Sequence, residues 1–224
     1  MLISLIICLS CTTLFAEEHP YIPLIKIAQD SLDYIDREVR DYSAVLIKKD
    51  AAYGNQELFI KVRHNPYSVY VKFLSPNREA GKEAVFKDGQ IRAHGVGVQR
   101  ILGTLNLRPT SPLAMAGQRY PITDLGLRRI AERVIETGDR EKSYSECVVN
   151  IENTDSGTCY IIEHPEPRKQ FFFHVAKIFV KDNLPVRTQI FDWNKVLVED
   201  YTYTEIKINQ GFTDKDFDTR EYGF

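Results

Sequence analysis

The residues able to do chemistry are present but scattered. Five histidines, His19, His64, His94, His164 and His174, stand apart from one another. None falls in a His-x-x-x-His or Cys-rich spacing, the pattern that gathers ligands around zinc. They read as turn or strand residues, and neither a metal nor another cofactor is expected. No Gly-x-Ser-x-Gly elbow presents a nucleophile, and no phosphate loop occurs. Gly95-Val96-Gly97 lacks a third glycine and a following helix at the right spacing, so it reads as a flexible turn. Asp214, Asp216 and Asp218 alternate, but the glycine and closing glutamate of a calcium loop are missing, so they read as a solvated tail. Without a convergent acid, base and nucleophile, the chain does not read as an enzyme.

Cysteine chemistry points to a compartment instead. Cys8 and Cys11 sit in an apolar stretch, residues 1–16, with no charged side chain, ended by Glu17 and Glu18. It is short for a membrane-spanning helix, which needs about 20 apolar residues, and reads as a signal peptide. Cleavage after Ala16 and lipid attachment at Cys11 both remain open. Cys147 and Cys159 flank a strand-turn-strand pattern around Asn153-Thr154-Asp155-Ser156-Gly157. A hairpin that brought them together in an oxidising compartment would bond them as a disulfide; the alternative is two buried thiols.

A third set of residues suggests apolar binding. Phe171-Phe172-Phe173 places large rings on both faces of a strand. One face then packs on the core and the other meets a helix, a cavity or a partner. Leu113 and Met115, in a Pro-rich insertion, are candidates for a lid over an apolar pocket, with Phe172 as the third ligand-binding candidate. Arg119, Arg128, Arg129 and Arg133 partly share a helix face, which reads as solvated surface or as peripheral contact with anionic headgroups. The formal net charge of -2 argues against nucleic acid as a partner.

The elements that must position these residues follow from periodicity. Leu24, Ala28, Leu32, Ile35 and Val39 recur at helical steps, which predicts a helix over Tyr21 to Asp41. The period then becomes two: Leu58, Ile60 and Val62 alternate with Phe59, Lys61 and Arg63, and Tyr67 to Phe73 behaves likewise. Asp88-Gly89 is a strong hairpin turn. A second helix is expected over Thr123 to Thr137, with Thr123 as N-cap and Gly138 as its end. Strands resume from Ser143 to Ile208. Short connectors imply antiparallel neighbours. The fold class is therefore β-rich α+β: a strongly curved antiparallel sheet or incomplete β-barrel, with an N-terminal helix and a helical lid insertion. Residues 17–224 form one domain.

The segment Ile60 to Leu74, then Pro112 to Ile122, Leu184-Pro185-Val186-Arg187, Asp192-Trp193, Glu199 to Thr204 and Phe212 to Asp218 resemble an uncharacterised family of exported bacterial proteins of planctomycete type. The match covers nearly all of the mature chain and brings no catalytic residues with it. In layout the chain is also similar to periplasmic lipoprotein carriers, which hold acyl chains in a half-open barrel. That likeness implies a periplasmic or envelope protein that binds a lipid, an acyl chain or a lipoprotein segment. A structural or protein-interaction module with a self-filled core is the alternative.

Overall fold

The structure, a computed structural model, describes residues 18–97, 103–143, 147–167 and 171–222. The expected signal peptide, its cleavage after Ala16 and lipidation of Cys11 lie outside these residues.

Helix α1 spans Tyr21–Glu38 and buries Tyr21, Leu24, Ile25, Ala28 and Ile35 on one face, as the sequence period requires. It ends before the expected Asp41, because Val39 is already extended and Asp41 opens a strand. The strands are β1 (Asp41–Asp50), β2 (Gly54–Arg63), β3 (Ser68–Ser75), β4 (Glu83–Lys87), β5 (Gln90–His94) and β6 (Leu105–Leu107). After an insertion and helix α2 (Leu127–Glu141) come β7 (Val148–Thr154), β8 (Gly157–Glu163), β9 (Val175–Lys181), β10 (Leu184–Phe191) and β11 (Leu197–Ile208).

These strands form one antiparallel sheet in the order β6-β5-β4-β3-β2-β1-β11-β10-β9-β8-β7. Two meanders are thus zipped together at the centre by β1 and β11, with Leu46 opposite Tyr203 and Lys48 opposite Tyr201. The sheet is curved but unclosed, its edges β6 and β7 bordering the gap. Hairpin geometry comes from local chemistry. Asp88 and Gly89 both take positive φ, 51° and 75°, as a type I′ turn demands.

Side-chain alternation divides the sheet into two faces. Tyr42, Ala44 and Leu46 from β1, Leu58, Ile60 and Val62 from β2, and Val69 and Val71 from β3 point inward to one core. Both helices pack with β8, β9 and β10 in a second core around Leu24, Ala131, Val134 and Ile178. The outward set Phe59, Tyr70 and Val85 is covered by the C-terminal segment through Phe212, Phe217 and Tyr222. That segment is a strap rather than the solvated tail expected from its aspartates. Asp214 pairs with Arg63 at 2.8 Å and Lys87 at 3.2 Å, Asp216 pairs with Lys61 at 3.0 Å, and Phe217 is buried.

Helix α2 starts and ends differently from expectation. Thr123 lies in a 3-10 turn, Ile122–Asp124, and the N-cap is Gly126. The first amides are satisfied from the sheet instead. Leu127 N–H donates to the Tyr42 hydroxyl at 2.9 Å, and Gly126 N–H to the Tyr203 hydroxyl at 3.1 Å. The Tyr67 hydroxyl donates to Leu125 C=O at 2.9 Å. Gly138 lies inside the helix: a Cβ there would come within 2.7 Å of Ile25 Cγ1, so its absence lets α1 and α2 approach.

The expected disulfide is corrected by the register. Cys147 and Cys159 are both free, buried thiols. Glu152 stands opposite Cys159, and Cys147 precedes the first paired residue, Val148. The sulfurs are therefore offset along the hairpin by five residues, about 17 Å at roughly 3.4 Å per residue. Burial raises both thiols, Cys147 to about 11.

Candidate ligand-binding cavity

Inside the curve of the sheet, between it, the two helices and the insertion, lies a cavity of about 840 Å³. Its floor is aliphatic, from Leu46, Leu58, Val71, Ile91 and Leu107. The wall toward the helices comes from Leu24, Ile130 and Val134, with Ile162, Ile178 and Ile190 beside them. Space is left where small residues face each other: Ala84 pairs across the ladder with Ala93, and both line the cavity. The inward face follows the logic of any half-buried strand: its residues pack with one another in the core and also line the cavity.

Two of the three expected ligand-binding residues reach the cavity. Leu113, in the insertion, and Phe172 are 59% and 58% exposed, and both line the wall. Met115 does not. It is half-buried in a turn, its N–H donating to Ser111 C=O at 3.0 Å, while its neighbours Leu113, Ala114 and Ala116 face the cavity. The phenylalanine triplet also differs from expectation, because β9 begins only at Val175. Phe171 and Phe173 are buried around His164, the Phe171 ring stacked on the imidazole at 3.8 Å.

One end of the cavity is polar, and periodicity put it there. Lys48 continues the inward series Tyr42, Ala44, Leu46; Gln56 precedes Leu58 on the inward face of β2; Glu199 precedes Tyr201 and Tyr203 on β11. All three are more than nine-tenths buried. The insertion closes this end with Gln118, Arg119 and Tyr120. Arg119 grips Asp50 with two bonds, Nε to Oδ2 at 2.7 Å and Nη2 to Oδ1 at 2.8 Å. Asp50 also accepts from the Tyr201 hydroxyl at 2.7 Å and from Ala52 and Tyr53 N–H. Burial alone would raise this carboxyl; the Arg119, Tyr201 and backbone donors outweigh it and hold it well below the usual range. Tyr120 donates to Glu199 Oε2 at 2.9 Å, and burial raises the Glu199 carboxyl. Of these residues only Arg119 stands out in the sequence, as part of an arginine series, because each partner comes from a different element. The one available clue was polar side chains at inward positions of otherwise apolar strands.

A second buried polar cluster holds α1, α2 and the end of β8 together. The Tyr21 hydroxyl donates to Glu141 Oε2 at 2.6 Å, and His164 Nε2 lies 3.1 Å from the same oxygen. Glu141 and His164 are 1% and 0% exposed, and neither lines the cavity. Tyr21 alone of the three lines the cavity. The four arginines read as a helix face are all ion-paired: Arg119 with Asp50, Arg128 with Asp36, Arg129 with Glu136, and Arg133 with Asp124. Among the described residues no group of three or more His, Cys, Asp or Glu side chains is arranged to hold a metal ion. No helix among them is long and apolar enough to cross a membrane.

Fold and site together define an open antiparallel half-barrel with two helices over an apolar interior. The chain belongs to a family described as protein of unknown function (DUF1571), whose model matches residues 39–224. No curated protein matches the sequence. Among solved structures, an uncharacterized conserved protein from Thermus thermophilus superposes with a TM-score of 0.50 at 11% identity, over 85% of this chain and 91% of that one. It shares the fold. Looser likenesses include the lipoprotein LppX of Mycobacterium tuberculosis, with a TM-score of 0.47 at 14% identity over 85% of this chain and 97% of that one. A putative outer membrane lipoprotein-sorting protein domain from Vibrio parahaemolyticus gives 0.44 at 12% identity, over 88% and 97%.

Proposed function

We propose that this protein is a non-enzymatic carrier of the bacterial envelope that holds an acyl chain, from a lipid or a lipoprotein segment, in its apolar cavity. The observation that carries the reading is the cavity. Its volume of about 840 Å³ falls in the range of ligand sites, roughly 300–1,000 Å³. A self-filled core would interdigitate without voids larger than a water molecule, so the open interior favours a carrier over a purely structural module. An aliphatic floor suits a hydrocarbon chain, each buried methylene contributing about 0.8 kcal/mol. Leu113 and Phe172, exposed yet on the wall, are placed to cover an entering chain. The uncharged apolar stretch at residues 1–16 supports export to the periplasm or envelope.

A fluorescent fatty acid tests this. It should bind the lipid-stripped protein and be displaced by unlabelled lipid, and Ala93→Trp, which fills the floor, should weaken binding several-fold while leaving the urea midpoint near wild type. Absence of binding by any acyl probe would overturn the reading.

A further inference from the structure

Lys48 is a buried cation whose hydrogen-bond partners are neutral amides. It is 8% exposed and lines the cavity. Its ammonium donates to two amide oxygens, Gln56 Oε1 at 3.0 Å and Gln118 Oε1 at 2.5 Å. Both acceptors are neutral, and an ammonium has three donors. No carboxylate among the described residues lies within ion-pair range of it.

The surrounding charges are committed elsewhere. On β1 and β11, Asp50 is taken by Arg119 and Tyr201, and Glu199 by Tyr120 and Arg119. From the β3–β4 connection, Glu79 accepts from Gln56 Nε2 at 3.1 Å and pairs with Lys82. Gln118 Nε2 donates to Gln56 Oε1 at 3.1 Å, which fixes both amides with their oxygens toward the ammonium. The Tyr201 ring lies 5.5 Å from Nζ. The other cations that line the cavity, Lys82, Arg129, Arg133 and Arg140, pair with Glu79, Glu136, Asp124 and Glu141, so Lys48 is the pre-oriented positive charge held by neutral groups alone. Burying a charge is costly unless it is paired, so the site gains most from a ligand that brings its own anion.

We infer that Lys48, oriented by Gln56 and Gln118, is a head-group site for a singly charged carboxylate, so that the cavity selects free fatty acids or similarly headed acyl chains. This rests on the carrier reading and names its ligand class. A single ammonium among neutral amides matches one negative charge; a phosphate head carries a second, and the forked donors of the nearby Arg119 that could meet it are already engaged by Asp50. Burial lowers the lysine to about 8, the neighbouring carboxylates opposing that shift. At pH 7 it is mostly protonated, and above pH 8 the free protein loses the charge the ligand needs.

The test is displacement of cis-parinaric acid from the purified, lipid-stripped protein by oleate, by oleyl alcohol and by oleyl phosphate. Oleate should outcompete the alcohol by about tenfold at pH 7, the equivalent of one charge-assisted hydrogen bond. That advantage should fade as the pH is raised from 7 to 9, while the alcohol's affinity stays level. Lys48→Met should abolish the advantage without weakening the alcohol, and Lys48→Arg should retain most of it. Equal binding of acid and alcohol, or an undiminished advantage in Lys48→Met, would overturn the head-group site and leave the carrier reading standing. Tighter binding of the phosphate than of oleate would overturn the carboxylate assignment. No displacement by any of the three would overturn both.

Discussion

The clamp between Asp50 and Arg119 should decide whether the insertion stays closed over the polar end of the cavity. The Asp50 side chain is 1% exposed and Arg119 29%. Asp50→Asn removes the charge but keeps the shape, and the amide can still accept from Tyr201 or Ala52 N–H. What is lost is the two-bonded ion pair. Each charge-assisted hydrogen bond contributes about 1.5–3 kcal/mol, and a fully buried pair loses about 3–5 kcal/mol when one partner is removed. Arg119 regains part of its hydration, so the expected loss is about 2–3 kcal/mol. With an m-value of about 2–3 kcal/mol/M, the urea midpoint falls by about 1 M. The dependence on pH has a definite sign. Asp50 is held below its ordinary value of about 3.9, so its contribution is fully present above that value and disappears as the pH falls through the folded-state value. The gap between wild type and Asp50→Asn should be constant from pH 7 to 5 and shrink below about 4. Equilibrium urea unfolding at pH 7, 5 and 3.5 measures it. A loss below about 0.5 kcal/mol at pH 7, or a gap that widens in acid, would refute the reasoning.

Other consequences can be checked with the same material. Tyr42→Phe leaves the buried Leu127 N–H without its acceptor and should cost about 1–3 kcal/mol by urea unfolding; a neutral change would show that α2 is capped otherwise. Gly138→Val forces a branched side chain into Ile25 and should cost about 1–3 kcal/mol, partly recovered by Ile25→Ala in the double variant. Phe217→Ala, which uncovers Tyr70 and Val85, should cost about 3–5 kcal/mol and make the C-terminal strap sensitive to limited proteolysis. Maleimide labelling should find Cys147 and Cys159 protected in the native protein and both reactive in urea without reductant; labelling that requires reduction would contradict the hairpin register.

Much of the fold was legible because it is local. The helical steps from Leu24 to Ile35 and the alternation through Leu58, Ile60 and Val62 each specify an element and its buried face. Asp88-Gly89 specifies a turn. What could not be read were contacts between elements distant in sequence. The helix cap at Leu127 is a tyrosine from β1, which no capping rule anticipates. Gly138 read as a helix end because glycine favours that role; its actual use, a close approach of α1, depends on packing. The cysteines flanked a true hairpin, but its turn at Thr154–Gly157 lies nearer Cys159 than Cys147, so the register keeps them apart as the two buried thiols of the alternative. Leu113 and Phe172 line the cavity, and Met115 lies outside its lining because the insertion folds as successive turns. The polar end went unseen, since Lys48, Gln56 and Glu199 looked like ordinary strand residues until β1, β2 and β11 were set side by side.

The most direct test of the central claim is native mass spectrometry of the protein purified gently from its own cells, followed by lipid extraction. The account predicts one acyl ligand per chain, released on unfolding and enriched in carboxylate-headed species. A mass equal to that of the bare polypeptide, from a preparation that also fails to take up added fatty acid, would contradict it.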